Sequence, residues 1–220
     1  MVPPTEPSPR AGVPIVVYGG GGHGITLIDA LRVIGGYDVA GVIDGGLAQG
    51  SSLLGVAVLG GADVLTEVRA GGIELAVNAV GSLRDLARRA AIFEELTDAG
   101  FRCPTVTHPS AVLDASAEVE DGVHVLAHAY VGAAAAVGFG CVVNTGAVVS
   151  HGCRIGACAN ISPGALLAGD VTIGDHALVG MGANINIGLA IGAGARVGNG
   201  AVVKADVPDG GVVRAGEVWG

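Results

Sequence analysis

A glycine-rich segment brings together residue types that commonly bind a phosphate-bearing ligand. After a short apolar run, the chain contains Gly19-Gly20-Gly21-Gly22-His23-Gly24. Gly19, Gly21 and Gly24 satisfy the spacing G-x-G-x-x-G, and Asp44 lies 20 residues beyond the last of them. Glycines let the main chain approach a diphosphate, a helix N-terminus attracts it, and a carboxylate at a strand end can accept from a ribose hydroxyl. The spacing therefore predicts a nucleotide-binding loop, and a strand-to-helix turn without a ligand is the alternative.

Histidine supplies the side chain that could transfer a proton near neutral pH. His23 lies within the glycine loop, where it could hydrogen-bond a ligand phosphate or sugar. His151 comes two residues after Val149, and by position alone we expect it to be a solvated histidine at a bend. His108 is expected to be structural. The remaining three are expected on the surface: His124, His128 and His176.

A repeat of six residues predicts the scaffold that carries most of these side chains. Aliphatic residues occupy every sixth position from Leu113 to Val203, and a second apolar residue, usually small, lies two positions before most of them. A period of six fits neither an α-helix nor a single strand. It fits a coil of short strands and tight corners, in which three hexads form one triangular turn. The stretch is long enough for about five turns.

The corners and limits of this coil can also be predicted. Glycine or asparagine usually follows the aliphatic residue, as at Gly132, Gly138 and Asn144. These types tolerate positive φ, so we expect them to form the corners. The coil is predicted over residues 108–209, with a C-terminal tail over 210–220. A solenoid with a purely structural role is the alternative to one that carries a catalytic site.

Residues 14–107 lack the repeat and alternate between apolar strands and helical segments. Strands are predicted at Pro14 to Tyr18, Tyr37 to Ile43, Ile73 to Val77 and Phe101 to Val106, and helices at Ile25 to Ile34, Val64 to Ala70 and Leu83 to Ala99. This alternation predicts a small α/β domain with a Rossmann-like parallel sheet. Residues 1–13 are expected to be a disordered lead-in.

Composition excludes several classes of protein. The formal net charge is −9 with only 11 Lys plus Arg, which argues against a nucleic-acid partner. The mean hydropathy is +0.62, but glycines interrupt the apolar runs, so no membrane insertion is predicted. The four cysteines lack metal-site spacing, no metal is expected, and Cys141 and Cys153 should be buried thiols of a cytoplasmic protein. The α/β part is too short for a dehydrogenase with a separate substrate domain.

The order of glycine loop, Asp44, His108-Pro109-Ser110-Ala111 and hexads resembles the hexapeptide-repeat sugar O- and N-acyltransferases. This family includes bacterial nucleotide-sugar N-acetyltransferases and relatives of the sialic acid O-acetyltransferase. The resemblance covers roughly Pro14 to Val212 and implies an all-β left-handed parallel β-helix after the α/β domain. It also implies a homotrimer that binds acetyl-CoA between neighbouring subunits. The first domain would bind a nucleotide-linked amino sugar.

The resemblance assigns roles to individual residues. The stretch from Asn144 to His151 matches the family segment that ends in the catalytic histidine, so His151 is the expected general base. Asn160 is expected to hydrogen-bond the thioester carbonyl. Substrate contacts are expected at Gly20, Gly21, Gly22, His23, Asp44, Gly45 and Gly81, and acetyl-CoA contacts at Asn160, Gly180 and Lys204.

The chain also departs from the family pattern. Gly152 stands where the family has a carboxylate after the histidine, Asn160 replaces a second histidine, and Gly45 replaces a second acid. The C-terminus lacks the usual Gly-Asn-Pro-Ala-Lys ending. The expected reaction is N-acetylation by direct transfer. O-acetylation of a sugar hydroxyl and a non-catalytic binding or scaffold protein are the alternatives.

Overall fold

The computed structural model describes residues 12–81 and 87–220. Most of the predicted lead-in over 1–13 lies outside the described residues, as does the beginning of the helix predicted from Leu83. Within the described ranges, the α/β part contains β1 (Val13–Tyr18), α1 (Gly22–Ile34), β2 (Tyr37–Ile43), β3 (Ser52–Leu53), β4 (Val56–Gly60), a 3-10 turn (Ala62–Val64), α2 (Leu65–Ala70), β5 (Leu75–Asn78) and α3 (Ala87–Asp98). No described helix is long and apolar enough to cross a membrane.

The α/β part is built around a five-stranded sheet with the order β3-β4-β2-β1-β5. The pairs β1/β2, β1/β5 and β2/β4 are parallel, and β3/β4 is antiparallel. The sequence did not predict the β3/β4 hairpin. Its two-residue turn has positive φ at both Leu54 (49°) and Gly55 (79°). Leucine is uncommon in that conformation, so the usual sequence signal for such a turn is missing.

The rest of the chain forms a three-sided coil of parallel strands. The first face consists of Val106–Thr107, His124–Val125, Val142–Val143, Asn160–Ile161, Leu178–Val179, Arg196–Val197 and Val212–Val213. The second face consists of Val112–Leu113, Tyr130–Val131, Val148–Val149, Leu166–Leu167, Asn184–Ile185, Val202–Val203 and Val218–Trp219. The third face consists of Glu118–Val119, Ala136–Val137, Arg154–Ile155, Thr172–Ile173 and Ala190–Ile191.

Strand register confirms three hexads per turn. Val131 pairs with Val149, and Ile155 pairs with Ile173, so partners are 18 residues apart. The last turn is two residues shorter, because Ile191 pairs with Val207 and Val202 with Val218. The coil therefore continues through residues that the sequence assigned to a tail over 210–220. It also begins at 106, two residues before the predicted boundary.

The coil interior is apolar and nearly inaccessible. The second residue of each central strand points inward with the small residue two positions earlier, and Val131, Ala147 and Val149 are all 0% exposed. Cys141 and Cys153 share this position and are 0% exposed, so their predicted burial is confirmed. The α/β part packs against the start of the coil, because Val106 and Leu126 belong to the same apolar cluster as Leu27 and Ile28.

The corner residues differ from those expected. In every hexad from 122 to 200, positive φ occurs three residues after the inward aliphatic position, as at Gly146, Gly152 and Asp170. Gly132 and Gly138 do not have positive φ, so that prediction was wrong. They are small for another reason: a Cβ on Gly138 would lie 2.9 Å from Ile155 O in the next turn of the coil. Glycine therefore serves two purposes in the coil: close approach of the next turn at one position of a hexad, and positive φ at another.

These two requirements predict different costs for alanine in one hexad. A Cβ on Gly180 would lie 2.7 Å from both Val197 O and Asn199 N, whereas Gly182 has φ +64° and open space around its Cβ position. Gly180→Ala is expected to lower the free energy of unfolding by roughly 2–3 kcal/mol because main-chain atoms must move. Gly182→Ala should cost about 1 kcal/mol, because it strains only φ. Urea denaturation measures both, and equal losses would contradict the distinction.

Candidate active site

The glycine loop, the end of β2 and the end of β5 enclose one cleft. Its volume is about 360 Å³, and it is lined by Gly19, Gly21, Gly22, His23, Asp44, Ala79, Val80 and Gly81. The predicted phosphate loop, the acid and Gly81 are therefore neighbours. Parallel strands end at this edge, and α1 begins there with Gly21 as its N-cap and no side-chain cap. Main-chain N–H groups of the first turn are thus available to an anion.

Close packing shapes this loop. A Cβ on Gly24 would collide with Gly19 O, and a Cβ on Gly20 would collide with the Leu47 side chain, whereas Gly21 and Gly22 face open space. Gly20 supports the loop from behind, because its N–H donates to Asp44 Oδ2 at 2.6 Å. Neither Gly20 nor Gly45 lines the cleft, in contrast to Gly21 and Gly22.

The Asp44 carboxylate organises the loops on both sides of it. Its Oδ2 accepts from Gly20 N, and its Oδ1 accepts from Gly46 N at 2.8 Å. Each carboxylate oxygen has a further lone pair, so the side chain can still accept from a hydroxyl in the cleft. Asp44 therefore fixes the cleft wall as well as lining it, which the sequence did not indicate.

A buried polar cluster lies behind the cleft, where the α/β part meets the coil. His23 Nε2 is 3.0 Å from His124 Nδ1, and Arg89 Nη2 is 3.5 Å from the same Nδ1. His124 is 1% exposed and Arg89 is 4% exposed. The prediction that His124 lies on the surface was wrong, because the α/β part covers that strand of the first face.

Helical periodicity could have identified Arg89 as a buried residue. It shares a helix face with Ile92, Phe93 and Leu96, at spacings of three, four and seven, and all are buried. No comparable signal marks His124, since the sequence does not show which face of the coil is covered. His128 is exposed at a corner, as predicted. His108 is structural, as predicted, since its Nδ1 accepts from Ser110 N at 3.1 Å.

Burial keeps both interface histidines neutral. Desolvation, reinforced by the Arg89 charge, lowers the pKa of His23 from 6.5 to about 3. The same two causes, with His23 as a third, hold the pKa of His124 well below 6.5. Desolvation also lowers the pKa of Arg89 to about 10, so its guanidinium remains charged at neutral pH. His23 therefore cannot offer a positive charge to a phosphate.

His151 is exposed at the corner that joins the second and third faces. A Cβ on Gly169, one turn further along the coil, would overlap the imidazole ring. Gly169 therefore leaves room for the ring on the coil surface. Gly152 occupies the position where the family has a carboxylate. A Cβ on Gly152 would overlap Asp170 Oδ1, so a carboxylate from the next turn of the coil lies beside that position. Among the described residues, no carboxylate forms an ion pair with His151.

The residues assigned to the thioester and CoA are distributed differently. Asn160 lies on the first face, 7% exposed, and its Oδ1 has no hydrogen-bond partner. It is therefore on a different side of the coil from the His151 corner. Lys204 is exposed after the second face. The N–H of Gly180 donates to Val197 O at 2.8 Å, so it is already engaged in the coil and is not free for a cofactor.

The cysteines and the other possible metal ligands are spread over the fold. Residues 12–81 and 87–220 contain no group of three or more His, Cys, Asp or Glu side chains that could hold a metal ion. The four cysteines are free thiols. Burial raises the pKa of Cys141 to about 12 and raises that of Cys153. An inward thiol of this kind is a poor nucleophile.

A coil of stacked hexads with a histidine at an exposed corner resembles the scaffold of the parallel β-helix acyltransferases. Solved structures of this class match almost the whole chain. A histidine-to-asparagine variant of perosamine N-acetyltransferase from Caulobacter crescentus, bound to CoA and GDP-perosamine, is 36% identical with a TM-score of 0.87, and the match covers 93% of this chain and 94% of that one. The acetyltransferase domain of PglB from Neisseria gonorrhoeae, bound to acetyl coenzyme A, is 33% identical with a TM-score of 0.86, covering 94% and 98%.

The chain belongs to the hexapeptide-repeat sugar acyltransferase family and is an acetyltransferase. The arrangement of its parallel strands fits the left-handed β-helix of that family. WeeI from Acinetobacter baumannii, 24% identical with a TM-score of 0.64 and coverage of 90% and 94%, shares the fold. No family model and no curated protein matches the chain. The first of these relatives is an N-acetyltransferase for perosamine, and the second is an acetyltransferase domain.

The buried histidines predict how stability depends on pH. Below about pH 6.5, the unfolded chain binds protons at His23 and His124 that the folded chain excludes. Unfolding is therefore favoured as pH falls toward 3. His23→Gln keeps a donor toward His124 but removes one of the two side chains that bind a proton only in the unfolded chain. The slope of the free energy of unfolding should fall by up to about 1.4 kcal/mol per pH unit between about pH 6 and pH 4.

Urea denaturation across this pH range measures that slope. His128→Gln, at an exposed corner, controls for loss of a histidine as such. A His23→Gln slope equal to that of the unsubstituted protein would show that His23 is not held neutral in the folded state.

Proposed function

We propose that the protein transfers an acetyl group from acetyl-CoA to the amino group of a nucleotide-linked amino sugar. The observation that carries this proposal is the cleft in which Gly21, Gly22, His23, Asp44 and Gly81 meet, on a chain whose hexads fold as an acyltransferase coil. The relatives support it, since one is bound to CoA and GDP-perosamine and another to acetyl coenzyme A.

The two parts of the chain divide the substrates between them. The α/β part, residues 14–107, is a Rossmann-like domain that binds the nucleotide. The diphosphate meets the N–H groups at the start of α1, and Asp44 accepts from a hydroxyl. The coil, 108–209 with its continuation to the C-terminus, binds acetyl-CoA. Lys204 is exposed, and its ammonium group would bind a CoA phosphate.

His151 is the general base of the proposed reaction. The amine nitrogen attacks the thioester carbonyl carbon and must lose a proton, which the exposed imidazole accepts. Collapse of the tetrahedral intermediate breaks the carbon–sulfur bond, and the proton passes to the departing thiolate. Asn160 hydrogen-bonds the carbonyl oxygen as negative charge develops there. The donor is its side-chain Nδ2, because Oδ1 can only accept. Oδ1 lacks a partner among the described residues and can accept from a group that completes the site.

The transfer is direct, without an acyl-enzyme. The cysteine nearest in sequence to His151, Cys153, points into the coil, and its thiol donates to Ala168 O at 3.2 Å. A nucleophile held this way cannot reach a surface-bound thioester. Because the described cysteines are free thiols, a reducing compartment is favoured, and we place the protein in the cytoplasm.

The site is completed in a homotrimer. His151 and Asn160 lie on different sides of one coil, so they would act together across neighbouring subunits. The second face supplies an apolar surface for such contact, since Val112 is 56% exposed, Leu166 44% and Val218 58%. The third face carries Glu118, Arg154 and Thr172 at the equivalent outward positions and is more polar.

Loss of the base should abolish transfer without loss of fold. His151→Asn is expected to lower kcat by about 10²–10⁴-fold, because the amine keeps its proton. Release of free CoA thiol measures the rate, with GDP-perosamine as acceptor and a hydroxyl analogue beside it. Thermal denaturation checks that the variant remains folded.

His128→Asn is the matched control, because it removes an exposed histidine from another corner. Full activity of His151→Asn would eliminate His151 as the base. Transfer to the hydroxyl analogue alone would identify an O-acetyltransferase. Failure of the unsubstituted protein to release thiol with any acceptor would favour a binding or scaffold role.

The trimer makes a separate prediction. Leu166→Glu places a charge on the apolar second face and should dissociate the oligomer, because burying an unpaired carboxylate is unfavourable. Thr172→Glu, on the third face, should leave it intact. Light scattering after size exclusion measures the mass. A monomer in the unsubstituted protein, or an intact trimer with Leu166→Glu, would contradict the proposed interface.

A further inference from the structure

The buried Arg89 guanidinium donates every hydrogen bond that the structure shows for it. Its Nε donates to Gly140 O at 2.6 Å, and its Nη1 donates to Asn78 O at 2.7 Å and Val80 O at 3.2 Å. Its Nη2 lies 3.5 Å from His124 Nδ1. All four of these partners among the described residues are neutral. Arg89 thus joins α3 to a coil corner and to the strand end that lines the cleft.

A guanidinium can only donate, which determines the protonation of His124. Arginine has five N–H groups and no acceptor. His124 Nδ1 is therefore unprotonated, since an N–H there would face the positive charge of Arg89 Nη2 at 3.5 Å, and its one lone pair is left for His23 Nε2 at 3.0 Å. A neutral imidazole has one protonated nitrogen. His124 is consequently the tautomer that carries its hydrogen on Nε2.

The same lone pair determines the tautomer of His23. His23 Nε2 approaches His124 Nδ1 to 3.0 Å, and one hydrogen must lie between the two nitrogens. Because His124 Nδ1 is unprotonated, His23 supplies that hydrogen from Nε2. His23 Nδ1 is then the acceptor of a neutral ring. His23 is one of the residues that line the cleft.

We propose that Arg89 and His124 are positioning residues that hold His23 in its Nε2–H tautomer, so that the cleft presents a lone pair to a hydroxyl or amino group of its ligand. The inference rests on the proposed function only for the identity of that ligand as a nucleotide-linked sugar. His23 and Asp44 both act as acceptors in the cleft. Contacts to phosphate are left to the main-chain N–H groups of the glycine loop.

The ring nitrogens can be observed directly in the full chain without a ligand. Long-range nitrogen–proton NMR of histidine-labelled protein at pH 7 should show His23 and His124 as neutral rings protonated on Nε2. Spectra of His23→Gln and His124→Phe assign the two signals. A His23 ring that is protonated on Nδ1, or charged, would overturn the proposal.

His124→Phe also tests whether His124 controls the tautomer of His23, because it keeps a ring in place but removes the acceptor. The His23 signal should then change from one tautomer to a mixture. An unchanged His23 tautomer would mean that His124 does not control it. If this variant does not fold, the spectrum of the unsubstituted protein still decides the tautomer.

Ligand-binding measurements distinguish a His23 that accepts a hydrogen bond from a sugar group from a His23 that donates one to a phosphate. His23→Gln keeps a donor toward His124 but has no acceptor at the Nδ1 position, whereas the shorter amide of His23→Asn reaches that position. By calorimetry, His23→Gln should weaken GDP-perosamine binding about tenfold and leave inorganic pyrophosphate binding unchanged. His23→Asn should recover part of the GDP-perosamine affinity.

An equal loss of pyrophosphate affinity in His23→Gln would show that His23 donates to phosphate, and would overturn the assignment. Absence of GDP-perosamine binding by the unsubstituted protein would count against the proposed substrate class. In that case the NMR spectrum would still show whether His124 and Arg89 hold His23 in its Nε2–H tautomer.

Discussion

The structure depends on close stacking of the turns of the coil. The inward residues of one turn accept main-chain hydrogen bonds from residues next to the inward positions of the preceding turn, as from Gly132 N to Val149 O at 2.8 Å and from Gly138 N to Ile155 O at 2.8 Å. Where glycine follows the aliphatic residue, as at Gly138 and Gly180, a Cβ would lie within 3 Å of main-chain atoms of the next turn, at 2.9 Å and 2.7 Å respectively. The same spacing brings residues 18 apart into contact. Gly169 therefore lies beneath the His151 ring, and Asp170 lies over Gly152.

A second constraint fixes the α/β part against that scaffold. Arg89 is buried with its charge, and burial of a charge is unfavourable unless hydrogen bonds compensate. Main-chain oxygens of Asn78, Val80 and Gly140 supply that compensation. Because Asn78 ends β5, Val80 lines the cleft and Gly140 belongs to the coil, one side chain links the cleft wall to the coil.

Much of the fold could be predicted from local sequence. The hexads gave the coil and its three-fold turn, because a period of six excludes ordinary helices and strands. The strands Val13–Tyr18 and Tyr37–Ile43 were predicted to within a residue. The hairpin around Leu54 was missed because leucine occupies a glycine-type conformation. The corner residues were misplaced by two positions, because glycine serves close approach at one site and φ at the other, and composition alone does not separate the two.

By itself, the sequence determined the periodic scaffold, the glycine loop with Asp44, and the resemblance that singles out His151. These depend on residues close in the chain or on a repeat whose geometry is fixed by its period. Only the tertiary structure decided that His124 is buried against His23 and Arg89 and that Asp170 lies over Gly152. It also decided that the N–H of Gly180 is already bonded within the coil. Each of these is a contact between segments far apart in sequence, and which segments meet is set by packing of the whole chain.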